Sequence, residues 1–513
     1  MKSIKLSQTV AAIDAGSNYL RMSIADIDHD GHINVLEDLI KPTNIGRDTF
    51  SSGRISVDTI HNTCNDIKGF TQVMKDYKIK NYKAVCTSGI REAENKQYIL
   101  EQIKLRTGIE IEDINVSQER FYIMKALKYN ISEFNFFDKK TTLVINITTG
   151  SVEASIFEDN KLKFTEHIQI GSLRLKETFT GLENKIMNFS NLMKEYVESK
   201  LYWIKSNTKH LKIENLIIIG GEVHTIVNLI NSRGNNSKMN NIILGKDFKS
   251  LYNEIKNMTE DQITFKYKIS AIKMNLLLPT LILFNCFYKM ANTESIYNPN
   301  ITLRLGVLQD LSDKIFNLPR KSKLIDDILS SIDHIADKYK IDKIHSNYVE
   351  KIALSIFDQT LKIHKMGESE RLYLQVSSRI HDVGQFIDAV DPEIQAYNII
   401  INQDIMGFSY RELNIIASIA KYHWDIIPKE SDYNYSILDS RDKMVTSMLS
   451  AILKLSEALD TSHLQKITDI KLTKNGDMLF FNTTSEKDIS LEEWAFNSKA
   501  NFFQEVFGIK PTI

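Results

Sequence analysis

Cysteine is scarce, with only Cys64, Cys86 and Cys286 in 513 residues. Three widely separated thiols exclude a disulfide framework and point to a reducing compartment, so a cytoplasmic location is expected. Net charge is nearly absent too: 64 Lys and Arg oppose 65 Asp and Glu, leaving −1. That balance argues against a general nucleic-acid coat. Met1 to Ala12 lacks the apolar core of a signal peptide. The most apolar stretch, Leu276 to Tyr288, is interrupted by Pro279 and Asn285. It is short for a bilayer and is expected to be a buried helix, with no membrane association. No low-complexity segment divides the chain. What remains is a composition of 42% hydrophobic and 25% charged residues, that of a globular protein with two to four closely packed domains.

The first 315 residues alternate strand and helix patterns. Val10 to Asp14 and Leu20 to Ile27 flank a polar turn, which is a hairpin signature, and Leu143 to Ile147 with Val152 to Phe157 repeat it around Gly150-Ser151. A weaker third strand runs from Leu216 to Gly221. Two similar openings predict a duplicated α/β unit, with lobes at 1–130 and 131–315. From about Pro319 helical spacing dominates, predicting an all-helical domain over 316–465. Ile467 to Leu472 and Met478 to Phe481 then read as a hairpin around Asn475-Gly476, and Leu491 to Phe507 as a helix. They make a small α+β domain over 466–513.

Three loops carry phosphate chemistry. Asp14 at a strand end suits a divalent cation, and Gly16-Ser17-Asn18 offers backbone N–H groups and short polar side chains to phosphate oxygens. Thr87-Ser88-Gly89 leads into a helix, with Arg91 available as a clamp. Asn146 to Glu153, containing Thr149, Gly150 and Ser151, is a second turn that can face the first, and Glu153 is a candidate metal or water ligand. Each loop by itself is equally a turn or a helix cap.

Taken in order, these segments resemble the exopolyphosphatase and guanosine pentaphosphate phosphohydrolase (Ppx/GppA) family. The Asp-x-Gly-Ser-Asn opening matches Asp14 to Asn18, and the Thr-Ser-x-x-Arg-Glu-Ala block matches Thr87 to Ala93. Gly171-Ser172-Leu173-Arg174-Leu175, Gly220-Gly221, His381-Asp382-Val383-Gly384 and the tail Phe503 to Gly508 continue the match almost to the end. The resemblance implies an actin-like fold of two ribonuclease-H-like lobes with the active site between them. An HD-type helical domain and a small C-terminal domain would follow. It implies Mg²⁺- or Mn²⁺-assisted, in-line hydrolysis of the terminal phosphate of inorganic polyphosphate or of pppGpp, in a homodimer. By the same resemblance Asp14 and Glu153 hold the metal, while Gly16, Ser17, Asn18, Ser88, Arg91, Thr149, Gly150, Ser151, Gly220 and Gly221 cradle phosphate. His345, His381, Asp382 and Glu457 are spaced like the ligands of an HD-type metal site; the alternative is a hydrogen-bonded scaffold.

The departures from the family pattern concentrate in the active site. Asn146 stands where the family has Asp, and Thr148-Thr149 replace two glycines. Around Ser117 to Ile123, an ungapped match gives Phe121 the position of the catalytic Glu, leaving Glu119 as the substitute base if the backbone shifts. Glu222 replaces the Thr that usually follows the Gly-Gly loop, and Glu457 the distant Asp of an HD site. Weakened hydrolysis, or a regulatory protein that binds polyphosphate or nucleotide, is the alternative these changes raise. An actin-like sugar or acyl kinase is a more remote one, because the Gly220-Gly221 loop lacks an adenosine motif. Charge favours an anionic ligand on the lobes. Residues 1–315 carry 41 basic and 36 acidic side chains, whereas the remainder carries 23 and 29.

Overall fold

The computed structural model describes residues 7–130, 140–159, 161–182, 185–186, 188–233, 241–256, 258–318 and 321–513. The expected lobe boundary at 130/131 therefore abuts residues outside the described set, and Pro319 and the first six residues lie outside it. The chain forms two compact units, Met1–Asp327 and Ile328–Ile513.

The first unit contains two related sheets. β1 (Gln8–Ala15), β2 (Tyr19–Ile27), β3 (Ile33–Pro42), β4 (Asn81–Cys86) and β5 (Ile111–Asp113) assemble in the order β3-β2-β1-β4-β5. β1 runs antiparallel to β2 and parallel to β4, and β4 runs parallel to β5. The second sheet comprises β6 (Thr142–Ile147), β7 (Val152–Glu158), β8 (Lys161–Ile168), β9 (Asn215–Ile219), β10 (Ile242–Leu244) and β11 (Ser295–Tyr297), in the order β10-β11-β9-β6-β7-β8. Its strands β8-β7-β6-β9-β11 repeat the first arrangement, with the same antiparallel hairpin and parallel crossovers. β1 and β6 are the sheet centres, and their continuous apolar runs are buried on both faces, as central strands covered by helices require. β3 lies at an edge, mostly exposed and interspersed with charge.

The apolar stretch at 276–288 belongs to a longer helix than its composition suggested. Ala271–Ala291 runs for 21 residues with Pro279 inside it. Its segment Lys273–Ala291 is long and apolar enough to cross a membrane by composition. Leu281, Ile282, Leu283, Phe284 and Phe287 are fully buried in the core of the second lobe, where Phe284 stacks on Phe248 at 4.2 Å. Core packing accounts for that hydropathy.

The next helix, Leu303–Phe316, returns to the first lobe. It packs on β1 and on the helix Val116–Asn130. Buried Lys125 pairs there with Asp310 at 3.0 Å and Asp313 at 2.9 Å. The two helices approach closely at Gly306, where a Cβ would lie 2.0 Å from the Tyr122 carbonyl oxygen. Residues 303–316, grouped with the second lobe by sequence order, thus complete the first.

The second unit is helical, built around Lys343–Gln359, Glu368–Ile380, Tyr410–Tyr422 and Ser440–Ala458, with a 3-10 turn at His381–Phe386. Ser409 and Glu412 form a reciprocal capping box that starts Tyr410–Tyr422. The expected hairpin is present as β12 (Ile467–Asn475) and β13 (Met478–Ser485), turning at Gly476 with φ +58°. The helix Ser490–Phe507 and a short β14 (Lys510–Thr512), parallel to β13, complete that sheet.

Candidate functional site

Duplication places equivalent hairpins on the two lobes, and their turns and strand ends meet. In the first hairpin Asp14 lies across from Arg21; in the second Asn146 lies across from Glu153. Ser17 and Ser88, from two turns of the first lobe, bring their hydroxyls within 3.1 Å. The second lobe's Gly150 packs on Ser88 so closely that a Cβ would sit 2.1 Å from its Oγ. Arg174 fastens this meeting point, donating to the Gly150 carbonyl at 2.7 Å and to Glu92 of the first lobe at 2.5 Å. Its guanidinium also lies over the Phe50 ring, 4.1 Å from the centroid.

Behind these turns a cavity of about 390 Å³ is lined by both lobes. Of the residues singled out in the sequence, Asp14, Gly16, Ser17, Ser88, Glu119, Thr149, Gly220 and Gly221 line it, as does Asn146. Gly220 holds φ +144° against the Ile147 carbonyl, where a Cβ would come within 2.0 Å, so glycine is required for this approach.

The other singled-out residues sit elsewhere. Asn18 lines a neighbouring hollow with Thr43, Asn44 and Arg47. Gly150 is taken up by the contact with Ser88, and Ser151 by its turn, where its N–H donates to Thr148 Oγ1 at 3.1 Å. Glu153, expected as a metal ligand, is buried against Arg120 at 3.1 Å with His167 at 3.9 Å, and does not line the cavity. Arg91 stands behind Glu119 rather than at the cavity wall. Its Nη1 donates to the Ile114 carbonyl at 2.8 Å and to Glu119 at 3.3 Å, while Nη2 is buried without a hydrogen-bond partner.

Glu119 is thereby the acid that the helix Val116–Asn130 delivers to the cavity, whereas Phe121 is turned toward Tyr122 and Lys125. Three acids are raised above their ordinary range, each chiefly by burial: Asp14, Glu119 and Glu222. Arg21 and Arg304 oppose the shift at Asp14; Arg91 opposes it at Glu119, where the charge of Asp14 adds to it; Arg21 opposes it at Glu222. Asp14 Oδ1 is buried and has no hydrogen-bond partner. That free carboxylate oxygen, with Asn146 lining the same cavity, suits a hard cation such as Mg²⁺, while Arg21 at 3.8 Å supplies positive charge to the same carboxylate.

Several lining residues were not singled out in the sequence. Arg304 reaches the cavity from the helix Leu303–Phe316, donating to Ser23 Oγ at 2.6 Å and Asp38 at 2.7 Å. Arg21, 3.8 Å from Asp14, was visible in the opening motif but was given no role. Lys273 and His224 add a cation and a ring whose pKa is lowered mainly by burial.

A second cluster lies in the helical unit. His345, His381 and Asp382 present ligand atoms within 4.8 Å of one another, and His423 Nε2 is 3.8 Å from the other Asp382 oxygen. Glu457, placed in this set by its spacing, instead pairs with Lys499. The acid beside His345 is Asp460, at 2.8 Å. Glu457 lies in the last turn of the helix Ser440–Ala458, whereas Asp460 follows its C-cap, Leu459, so the chain has left the helix before it reaches the acid that meets His345.

Comparison with known proteins adds the following. Residues 23–315 match the Ppx/GppA phosphatase family, and residues 329–502 match Ppx/GppA phosphatase, domain III. A bifunctional 3-dehydroquinate synthase/phosphatase of Fusobacterium nucleatum is 28% identical over 208 residues, 39% of this chain and 30% of that protein's length. A guanosine-5'-triphosphate,3'-diphosphate pyrophosphatase of Vibrio atlanticus is 20% identical over 81% of this chain and 82% of its own. An exopolyphosphatase structure from Cytophaga hutchinsonii aligns with TM-score 0.54 and 20% identity, covering 60% of this chain and 98% of that one. At that identity the likeness speaks to fold.

Proposed function

The chain belongs to the Ppx/GppA phosphatase family, and from that premise we propose that it hydrolyses phosphoanhydrides, releasing the terminal phosphate of inorganic polyphosphate or the 5′-phosphate of pppGpp. The observation that carries this reading is Glu119, a buried carboxylate at the cavity wall between Asp14 and Arg91. It fills the role of general base that Phe121 had seemed to vacate.

In this reading the Ser17, Ser88 and Thr149 hydroxyls and the backbone at Gly16, Gly220 and Gly221 hold the terminal phosphoryl group. Glu119 accepts a proton from a water whose oxygen attacks phosphorus. The bridging P–O bond breaks, and its electron pair leaves with the shortened chain. Arg91 from behind Glu119, and Arg21 from the cavity wall beside Asp14, offset the acids. Asp14, through its unpartnered Oδ1, and Asn146 are the residues that would hold Mg²⁺ or Mn²⁺. When bound, the cation supplies charge neutralisation for the phosphoryl oxygens. Burial favours the protonated acid, and raising Glu119 brings its pKa closer to a neutral working pH, where a base is most effective.

The test is phosphate release by the full chain with Mg²⁺, from long-chain polyphosphate and from pppGpp in parallel, for wild type and Glu119→Gln. Release from either substrate, abolished by the substitution, supports the proposal and identifies the substrate. Tight polyphosphate binding with no release from either would instead make the protein a binding relative.

A further inference from the structure

The second lobe carries a hollow of about 430 Å³ that shares no lining residue with the cavity described above. Strand β10 runs directly into the helix Gly245–Ile255, and the hollow opens at that junction. The Gly245 N–H is used by the Glu294 carbonyl at 2.8 Å. No side chain caps the helix, so the N–H groups of Lys246 and Asp247 are free among the described residues. A helix start of this kind presents partial positive charge and open donors to an anion.

A helix start alone selects no ligand; Tyr288 makes this one specific. It projects from the helix Ala271–Ala291 and is only 4% exposed, yet it lines the hollow. Its ring packs edge-on against Phe248, with centroids 5.5 Å apart, which fixes its direction. The hydroxyl has no hydrogen-bond partner among the described residues. It lies against the backbone of Gly245, where a Cβ would come within 2.1 Å of the hydroxyl oxygen, so glycine is what admits it. A rigid, buried phenol thus brings a free O–H donor beside the free backbone donors of the helix start.

Charge has the same sense. Lys246 and Lys249 lie one turn apart, both line the hollow, and neither forms an ion pair among the described residues. Lys249 Nζ is 5.4 Å from the centroid of the Tyr288 ring. Glu294 is the opposing carboxylate on the wall, while Asp247, the acid of the helix's first turn, does not line the hollow.

We propose that this hollow binds a phosphate group, held by the Lys246 and Lys249 ammonium groups, the Tyr288 hydroxyl and the backbone N–H groups that begin the helix. Phosphate offers several charged acceptor oxygens to this donor set, and charge-assisted bonds are the stronger kind. Two ammonium groups and a helix start against one carboxylate favour an anion over a cation. The volume is within the range of small-molecule sites, so it admits free phosphate or a small phosphate ester.

The experiment is hydrogen–deuterium exchange on the full chain, read by mass spectrometry, with inorganic phosphate and glycerol 3-phosphate titrated separately. Peptides spanning 241–256 report the hollow, and peptides spanning 8–27 report the cavity. Slower exchange in 241–256 is expected on binding to wild type. The double variant Lys246→Ala/Lys249→Ala should weaken that response at least tenfold and Tyr288→Phe by about three- to tenfold, leaving the response in 8–27 unchanged. Tyr288→Phe keeps the ring and gives up a hydroxyl that bonds no protein group. Its melting temperature without phosphate should therefore stay within about 2 °C of wild type. Protection by inorganic phosphate makes free phosphate sufficient, and protection by the ester alone makes the organic part necessary. The proposal is overturned if neither ligand protects 241–256, or if protection persists undiminished in the variants.

Discussion

Arg91 Nη1 lies 3.3 Å from Glu119 Oε2 while donating to the Ile114 carbonyl at 2.8 Å. A cation anchored to the backbone thus fixes the orientation of the carboxylate and limits how far burial raises its pKa. Glu119→Gln should lower kcat/KM for the hydrolysed substrate by about 10²–10⁴-fold with Mg²⁺ present. In the wild type, activity should rise with pH as Glu119 ionises, with a midpoint above the ordinary Glu value of about 4.3. Arg91→Ala removes the opposing charge and should move that limb to still higher pH. A rate profile unchanged by Glu119→Gln would remove it from the chemistry.

Phe121 and Asn146 separate in the structure, although both replace family acids. Phe121 lies outside the cavity, so Phe121→Glu should leave phosphate release unimproved while lowering stability by about 1 kcal/mol or more, because it removes the ring's contacts with Tyr122 and Lys125. Asn146 lines the cavity and sits in register with Glu153, whose charge Arg120 offsets. Asn146→Asp adds a hard anionic ligand beside an existing acid. Without divalent cation its melting temperature should fall; Mg²⁺ should restore it and bind more tightly than to wild type. Thermal melts at graded Mg²⁺ check both outcomes.

Much of this was legible in the sequence because it is local. β1, β2, β6 and β7 follow from apolar runs around polar turns, and Asp14, Ser17 and Ser88 sit at strand ends where their neighbours place them. Glu119 was harder, since an ungapped match gives the role to Phe121, and helix orientation alone decides which side chain enters the cavity. Arg304 was illegible: 281 residues separate it from Ser23, and only the return of Leu303–Phe316 to the first lobe joins them. Glu457 and Asp460 share a helix end, so spacing suggested an acid there without saying which one turns inward.

The contact between Gly150 and Ser88 leaves no room for a side chain. In Gly150→Ala the new Cβ must displace Ser88 Oγ, and Ser88 Cβ at 2.8 Å would also be crowded. A loss of about 1–3 kcal/mol is expected from such overpacking, together with a rise in KM as the turns separate. Ser88→Gly in the same chain removes both obstructing atoms and should recover most of the stability. The double-mutant cycle would then show clear coupling, while additive losses would mean the turns do not meet in solution.

The cavity acids also make stability depend on pH in a direction that can be checked. Glu222 is raised above its ordinary value, mainly by burial, with Arg21 opposing. A folded acid with a raised pKa retains its proton at pH values where the unfolded chain has lost it. Its native-state advantage is therefore full below the unfolded value of about 4.3 and is lost as pH rises through the folded pKa. Glu222→Gln fixes the side chain in a neutral form and removes that loss. Relative to wild type it should be nearly unchanged in melting temperature at about pH 4 and progressively more stable toward about pH 8, measured without Mg²⁺. Asp14 has the same sign, so Glu222→Gln should remove part of the wild-type slope and leave the remainder. Parallel melting curves for the two proteins across this range would mean that Glu222 is ionised in the folded cavity as readily as in the unfolded chain.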